Sequence, residues 1–296
     1  MGANKQFKAS VIAGFLTEEK TNNSRLRELS QACGIIPEGS NPKIEVNTLQ
    51  NVLYMDRVND ISFTVDGKLV ILVEHQSTLN RNMPLRMLIY MGRLYEKIMN
   101  LDSIYKTEMI RIPTPEFIVL YNGTDACPDE WEQKLSEAYI EQGRELGLEL
   151  KVKVWNINFN ENSELLQKCR SLWEYSFFVK TVRDFKATGL PLEEAIREAI
   201  NVCISEDVMK SYLENNGSEV LNVLTQEWNM DEALRVSRAE GEETGEKRGI
   251  KIGVMKALCA LVSDHLLGID EAVKRADMPR SEFLGWMHQF NPEYKA

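Results

Sequence analysis

The sequence predicts an α/β fold followed by a helical C-terminal region. Three observations carry this. Residues 61–73 hold a strongly patterned hairpin. Short apolar strands recur at 117–121 and 148–159, with a helical stretch between the hairpin and the first of them. After Asn160 the texture becomes helical throughout.

Taken in order, residues 5–35 read as helical pieces broken near Thr21-Asn22-Asn23, with Ser24 as the N-cap of a helix over 25–32 and Gly34 closing it. Residues 36–42, rich in Pro, Gly, Ser and Asn, read as a loop, and 44–54 as a loosely alternating strand. Ile61-Ser62-Phe63-Thr64-Val65 alternates strictly. Asp66-Gly67-Lys68 is a turn, and Leu69–Val73 is a continuous apolar run, the mark of a strand buried on both faces. Pro84 sits near the start of a helix running to about Asn100. Asn122-Gly123 stops the strand at 117–121. Helices are expected at 163–187, 191–204, 206–215 and 217–228.

Gly241, Gly245, Gly249 and Gly253 then recur every four residues among charged neighbours. Each glycine costs a helix roughly 1 kcal/mol against Ala, so this stretch reads as a weak helix or linker. Residues 254–291 form an amphipathic helical module. The expected organisation is a core over 1–160, a helical extension packed on it over 161–235, the glycine-periodic linker over 236–253 and a C-terminal module over 254–296.

Composition excludes several classes. With 43% apolar and 27% charged residues among 296, the chain is neither disordered nor collagen-like. The net charge of −10 is uneven: residues 1–120 carry 14 basic and 13 acidic groups, and the rest carry 21 and 32. Bulk positive charge therefore cannot bind DNA, and a nucleic-acid site must be local, in the first half. Five separated cysteines without a CxxC pair argue against zinc clusters and a complete disulfide framework. They fit free thiols in a reducing compartment. MGANKQFKAS has no apolar run, and no stretch reaches membrane-spanning length. A cytoplasmic location is expected.

The chemistry concentrates in NDISFTVDGKLVILVEHQ, residues 59–76. Glu74 and Gln76 are two apart and share one face of their strand. Whether Asp60 joins them depends on the turn. A two-residue loop sends Asp60 and Glu74 to opposite faces. A three-residue loop pairs Val65 with Leu69 and sets Asp60 across from Glu74, near enough to share a hard cation. An Asp followed by Glu-x-(Lys/Gln) on antiparallel strands is the metal-site pattern of PD-(D/E)xK nucleases. Two carboxylates there leave room around Mg²⁺ for water and a phosphate oxygen. Gln76 carries no charge, so its part is to position water. On the following helix Arg86, Tyr90, Arg93 and Lys97 form one stripe, with Arg86 and Arg93 as candidate contacts to a nucleic-acid backbone. The plainer reading makes Asp60 and Glu74 solvated strand-end carboxylates, and His75, on the opposite face, a core histidine.

EHQST and NMPLRMLIYMGRLYEKI within 73–98, with FIVLYNG at 117–123, resemble the recombination-promoting nuclease (Rpn) family. That bacterial family is also described as putative transposases, within the PD-(D/E)xK superfamily. NTLQNVLYMDRVNDISF (47–63) and NGSEVLNVLTQEWNMDEAL (216–234) match as well, so the resemblance spans about residues 8–250. It implies a restriction-endonuclease-like core, a mixed sheet flanked by helices. It also implies a DNA endonuclease of low sequence specificity, dependent on Mg²⁺ or Mn²⁺ and linked to recombination, mobile elements or defence. Asp60, Glu74 and Gln76 take the catalytic positions, Asp60 and Glu74 as metal ligands, and Glu28 is a candidate for a superfamily acid on the first helix. The rival expectation is a catalytically weak or inactive nucleic-acid-binding or regulatory relative that self-associates, as a dimer, through its C-terminal half.

Overall fold

A computed structural model of the chain describes residues 10–18, 23–47, 60–99 and 101–291, leaving the side chains at 101, 103, 231–244 and 247 aside. Among these residues six strands form one mixed sheet: β1 (Ile44–Val46), β2 (Ile61–Val65), β3 (Leu69–Gln76), β4 (Thr114–Tyr121), β5 (Glu130–Lys134) and β6 (Lys151–Asn156). Their spatial order is β1-β2-β3-β4-β6-β5. β3–β4 and β4–β6 run parallel and the other pairs antiparallel. β3 is thus interior, and Val70–Glu74 are all buried, as its unbroken apolar run requires. The fold is α/β, with helices on both faces and a helical C-terminal region.

Alternation divides the sheet between two cores. Ile61, Phe63, Val65, Ile71, Val73, Ile118 and Leu120 face a large cluster built with α1 (Val11–Thr17), α2 (Ser24–Ala32), α4 (Glu164–Lys168), α5 (Arg170–Ala187) and α6 (Leu192–Ser205). Val70, Leu72, Phe117, Val119, Tyr121, Val152 and Val154 face a second cluster, closed by Met83, Met87, Tyr90, Met91 and Leu94 of α3 (Met83–Ile98). Period two in the strands meets period 3.6 in the helices, so each sheet face is covered by the apolar stripes of helices packed on it.

Several boundaries differ from expectation. The N-cap of α2 is Asn23, in the left-handed region, rather than Ser24. Gly34 does close that helix, with its positive φ and a hydrogen bond from Ile35 N–H back to the Ser30 carbonyl. The expected strand at 44–54 ends at Val46, and its part from 48 onward lies outside the described residues, as do the first residues of the 5–35 stretch. The strand expected over 148–159 is confined to β6. β4 begins earlier than expected and contains Pro115. Even-numbered N–H groups of β4 point to β3, as Thr114 and Asn122 show, so Pro115 lacks its donor on the β6 side, where pairing starts only at Ile118.

β5 was not expected from the sequence. Its charged residues alternate with Trp131 and Gln133 at a sheet edge. The stretch 163–187 splits at Cys169. The helices expected at 206–215 and 217–228 are one: α7 runs over Lys210–Ser263 without a break at Gly217 or along the glycine-periodic stretch.

Contacts divide the chain into two compact units, residues 1–229 and 230–296. In the second, Met255, Leu258, Cys259 and Val262 of α7 pack with Ala272 of α8 (Ile269–Ala276) and Phe283 and Met287 of α9 (Arg280–Phe290). Gly245, Gly249 and Gly253 have nothing within 4 Å of where a Cβ would stand. All five cysteines are unpaired, and four are buried. No described helix is long and apolar enough to cross a membrane.

Candidate active site

The turn between β2 and β3 settles the parity left open by the sequence. Asp66 and Gly67 both adopt positive φ, Lys68 N–H bonds to the Val65 carbonyl, and Val65 pairs with Leu69. The loop therefore has three residues. The register runs to Ile61 opposite Val73, and one further step sets Asp60 opposite Glu74.

Glu74 lies on the face covered by α3, beyond Val70 and Leu72. It is only 3% exposed. One carboxylate oxygen, Oε2, accepts from the Arg86 guanidinium at 2.9 Å. The other, Oε1, is buried with no hydrogen-bond partner among the described residues. A buried ionised oxygen without a partner is costly. Burial first, and the neighbouring Asp60 charge second, push the Glu74 pKa up to about 8, while Arg86 and the Asp60 backbone pull it down. Asp60 Oδ2 accepts from the His75 backbone N–H at 2.7 Å. Its own pKa is raised to about 6 by burial, against that hydrogen bond and Arg86. The two carboxylates thus meet where neither is comfortable as an anion.

Gln76 follows on the same face, its Nε2 against Met83 Sδ at 2.6 Å. Arg86, one turn into α3, is fastened on three sides. Besides Glu74 it donates to Tyr90 Oη from Nε and Nη2, at 3.3 and 3.1 Å, and to Met83 Sδ from Nη1 at 3.4 Å. The expected basic stripe is only partly a surface. Tyr90 is buried, in the same cluster as Met87 and Met91. Arg93 stands two turns beyond Arg86 on the same helix, half-buried.

His75 points to the other face, as alternation requires. Its ring is enclosed by protein atoms although the residue keeps some surface, and that enclosure lowers its pKa to about 4. Nε2 lies 3.3 Å from the hydroxyl of Tyr175 in α5, and the two rings meet edge to face. Asn122 Nδ2 donates to the same hydroxyl at 3.4 Å. Arg183, two turns along α5, donates to the Asn122 carbonyl and, at 2.6 Å, to Asn158 Oδ1. This network behind the strand ends was not read from the sequence. Tyr175 lies 100 residues from His75, and no local pattern links them.

Glu28 is elsewhere. Its carboxylate accepts from the backbone N–H groups of Arg170 and Ser171, at 2.7 and 3.0 Å, and from the Ser171 hydroxyl. It caps α5, where orphan donors and the helix dipole favour an anion.

Two adjacent carboxylates, both raised by burial and Glu74 further by the Asp60 charge, with one Glu74 oxygen orphaned, would suit a hard cation held by few protein ligands and completed by water and phosphate. Among the described residues there is no group of three or more His, Cys, Asp and Glu side chains that could hold a metal ion. Two carboxylates are fewer than the four protein ligands of a structural zinc site. No protein-family model matches this chain, and neither a curated protein nor a solved structure matches it.

Proposed function

We propose that this chain is a metal-dependent DNA endonuclease of the PD-(D/E)xK type, related to the recombination-promoting nucleases. One observation carries the reading: the three-residue turn sets Asp60 across from Glu74 at the end of a buried strand, with Gln76 two residues on and Arg86 against Glu74. Asp60 and Glu74 would hold Mg²⁺ or Mn²⁺, which when bound polarises the phosphate and makes a better nucleophile of water. Gln76 orients that water through its amide. Arg86 and Arg93 hold the DNA backbone, which positions the strand without reading its sequence. His75 N–H fixes the Asp60 carboxylate.

Plasmid cleavage in Mg²⁺ or Mn²⁺ against EDTA tests this, with Asp60→Ala and Glu74→Ala alongside. The expected result is metal-dependent nicking by wild type that both substitutions abolish. Nicking that survives either substitution, or its absence in wild type with both metals, rejects the assignment.

A second reading has a specific observation in its favour. Gln76 brings no charge, and Arg86 already occupies one oxygen of Glu74. A non-catalytic DNA-binding or regulatory protein of the same fold, self-associating through its C-terminal helices, would show DNA binding without metal-dependent cleavage.

A further inference from the structure

The Arg86 side chain is placed to do two incompatible things. Its Nη2 lies 2.9 Å from Glu74 Oε2, on one of the two carboxylates that would hold a divalent ion. Yet it is also a guanidinium at the edge of the site, with 30% of its side chain exposed against 4% for Glu74. The guanidinium thus joins the interior carboxylate to the surface that DNA would reach. A cation so close to Glu74 opposes the entry of a second, doubly charged one. Its remaining contacts are all to uncharged groups: the Tyr90 hydroxyl, the Met83 thioether and the Tyr90 ring at 5.8 Å.

We infer that Arg86 is an exchangeable partner of Glu74 that couples metal binding to phosphate binding: in the metal-free protein it holds Glu74 Oε2, and when a divalent ion takes Glu74 the guanidinium passes to a DNA phosphate. This rests on the nuclease reading above and adds an order to it. A long, flexible stem carries the planar fork of Arg86, which suits carboxylate and phosphate alike. The buried Oε1 of Glu74, without a partner, is the oxygen that Arg86 leaves unsatisfied and that a divalent ion would engage. Binding free energies are reciprocal, so DNA must strengthen metal binding by the factor by which metal strengthens DNA binding.

The coupling has a signature that a merely structural salt bridge lacks. Removing the guanidinium should tighten metal binding and weaken the metal-stimulated part of DNA binding. The test is calorimetric titration of the full chain with Mn²⁺, comparing wild type, Arg86→Met and Arg86→Lys. A companion series measures binding to a hydrolysis-resistant phosphorothioate duplex with and without Mn²⁺. Methionine keeps the buried stem without the charge, and lysine keeps the charge without the fork. Arg86→Met should bind Mn²⁺ roughly tenfold tighter, within the 5- to 150-fold range of coupled sites, and should lose most of the Mn²⁺-dependent gain in DNA affinity. Arg86→Lys should stay near wild type for Mn²⁺. Equal or weaker Mn²⁺ binding by Arg86→Met, with wild type binding normally, overturns the exchange and leaves the nuclease reading standing. If no form binds Mn²⁺, or if Asp60→Ala and Glu74→Ala bind it as well as wild type, the metal site itself is refuted and the exchange falls with it.

Discussion

Replacing Glu74 by Gln should change how stability depends on pH in metal-free protein. The Glu74 pKa lies near 8 in the folded chain against an ordinary value near 4.5. The folded state therefore holds this proton more tightly than the unfolded state. Its stabilising effect is complete at low pH and is lost as pH rises through 8. Asp60, raised to about 6, adds a loss that is complete by neutrality. His75, lowered to about 4, acts in the opposite sense, removing stability as pH falls below the ordinary histidine range. Above neutrality both are settled, and Glu74 stands alone among the site's groups. Between pH 7 and pH 9 its contribution falls by roughly 1–2 kcal/mol.

The buried thiols of Cys33, Cys169 and Cys203 also cost stability in alkali, because burial raises their pKa values, but they do so equally in the variant. Glu74→Gln keeps an amide oxygen that can accept from Arg86 and removes only the group that titrates in this range, because guanidinium does not titrate there. The assay is urea unfolding followed by tryptophan fluorescence, in EDTA, at pH 7, 8 and 9. The wild-type stability should fall more steeply than that of the variant, by about 1–2 kcal/mol over the range. Parallel profiles would refute the electrostatic account of the site.

Three further outcomes are expected. Gly123→Ala should cost about 3 kcal/mol, because a Cβ there would stand 2.0 Å from the Ser77 carbonyl oxygen; an unchanged urea midpoint contradicts the packing. Glu28→Ala should lower stability by about 1 kcal/mol through loss of the α5 cap and leave metal-dependent nicking intact, whereas loss of nicking at unchanged stability would return Glu28 to the site. For the proposed self-association, Ile250→Lys with Val254→Lys, one turn apart and both exposed on α7, should reduce the mass found by light scattering; an oligomer of unchanged mass removes this surface from the interface.

Much of the core could be read along the chain, because period and turn chemistry are local. The alternation of Ile61–Val65, the apolar run of Leu69–Val73 and the helix after Pro84 are all present where pattern places them. β5 escaped because its alternation is of charged residues with one tryptophan, a pattern that pays off only at a sheet edge beside β6. Gly217 looked like a break and is not, since a single glycine costs a helix far less than the packing of Leu213, Val220, Leu221 and Leu224 returns.

By itself the sequence determined which residue types gather near the hairpin: two carboxylates, an amide two residues on, and an arginine one turn into the next helix. Tertiary structure decided how they meet. The parity of the turn, held by positive φ at Asp66 and Gly67, chose the face of Asp60. The packing of α3 on the sheet brought Arg86 to Glu74, and burial beside Asp60 raised the pKa of Glu74. Helix packing likewise drew Glu28 away to α5 and Tyr175 to His75. The physical reason is range. Periodicity acts over a few residues, whereas Coulomb energy and desolvation depend on distance and burial, which exist only once the chain has folded.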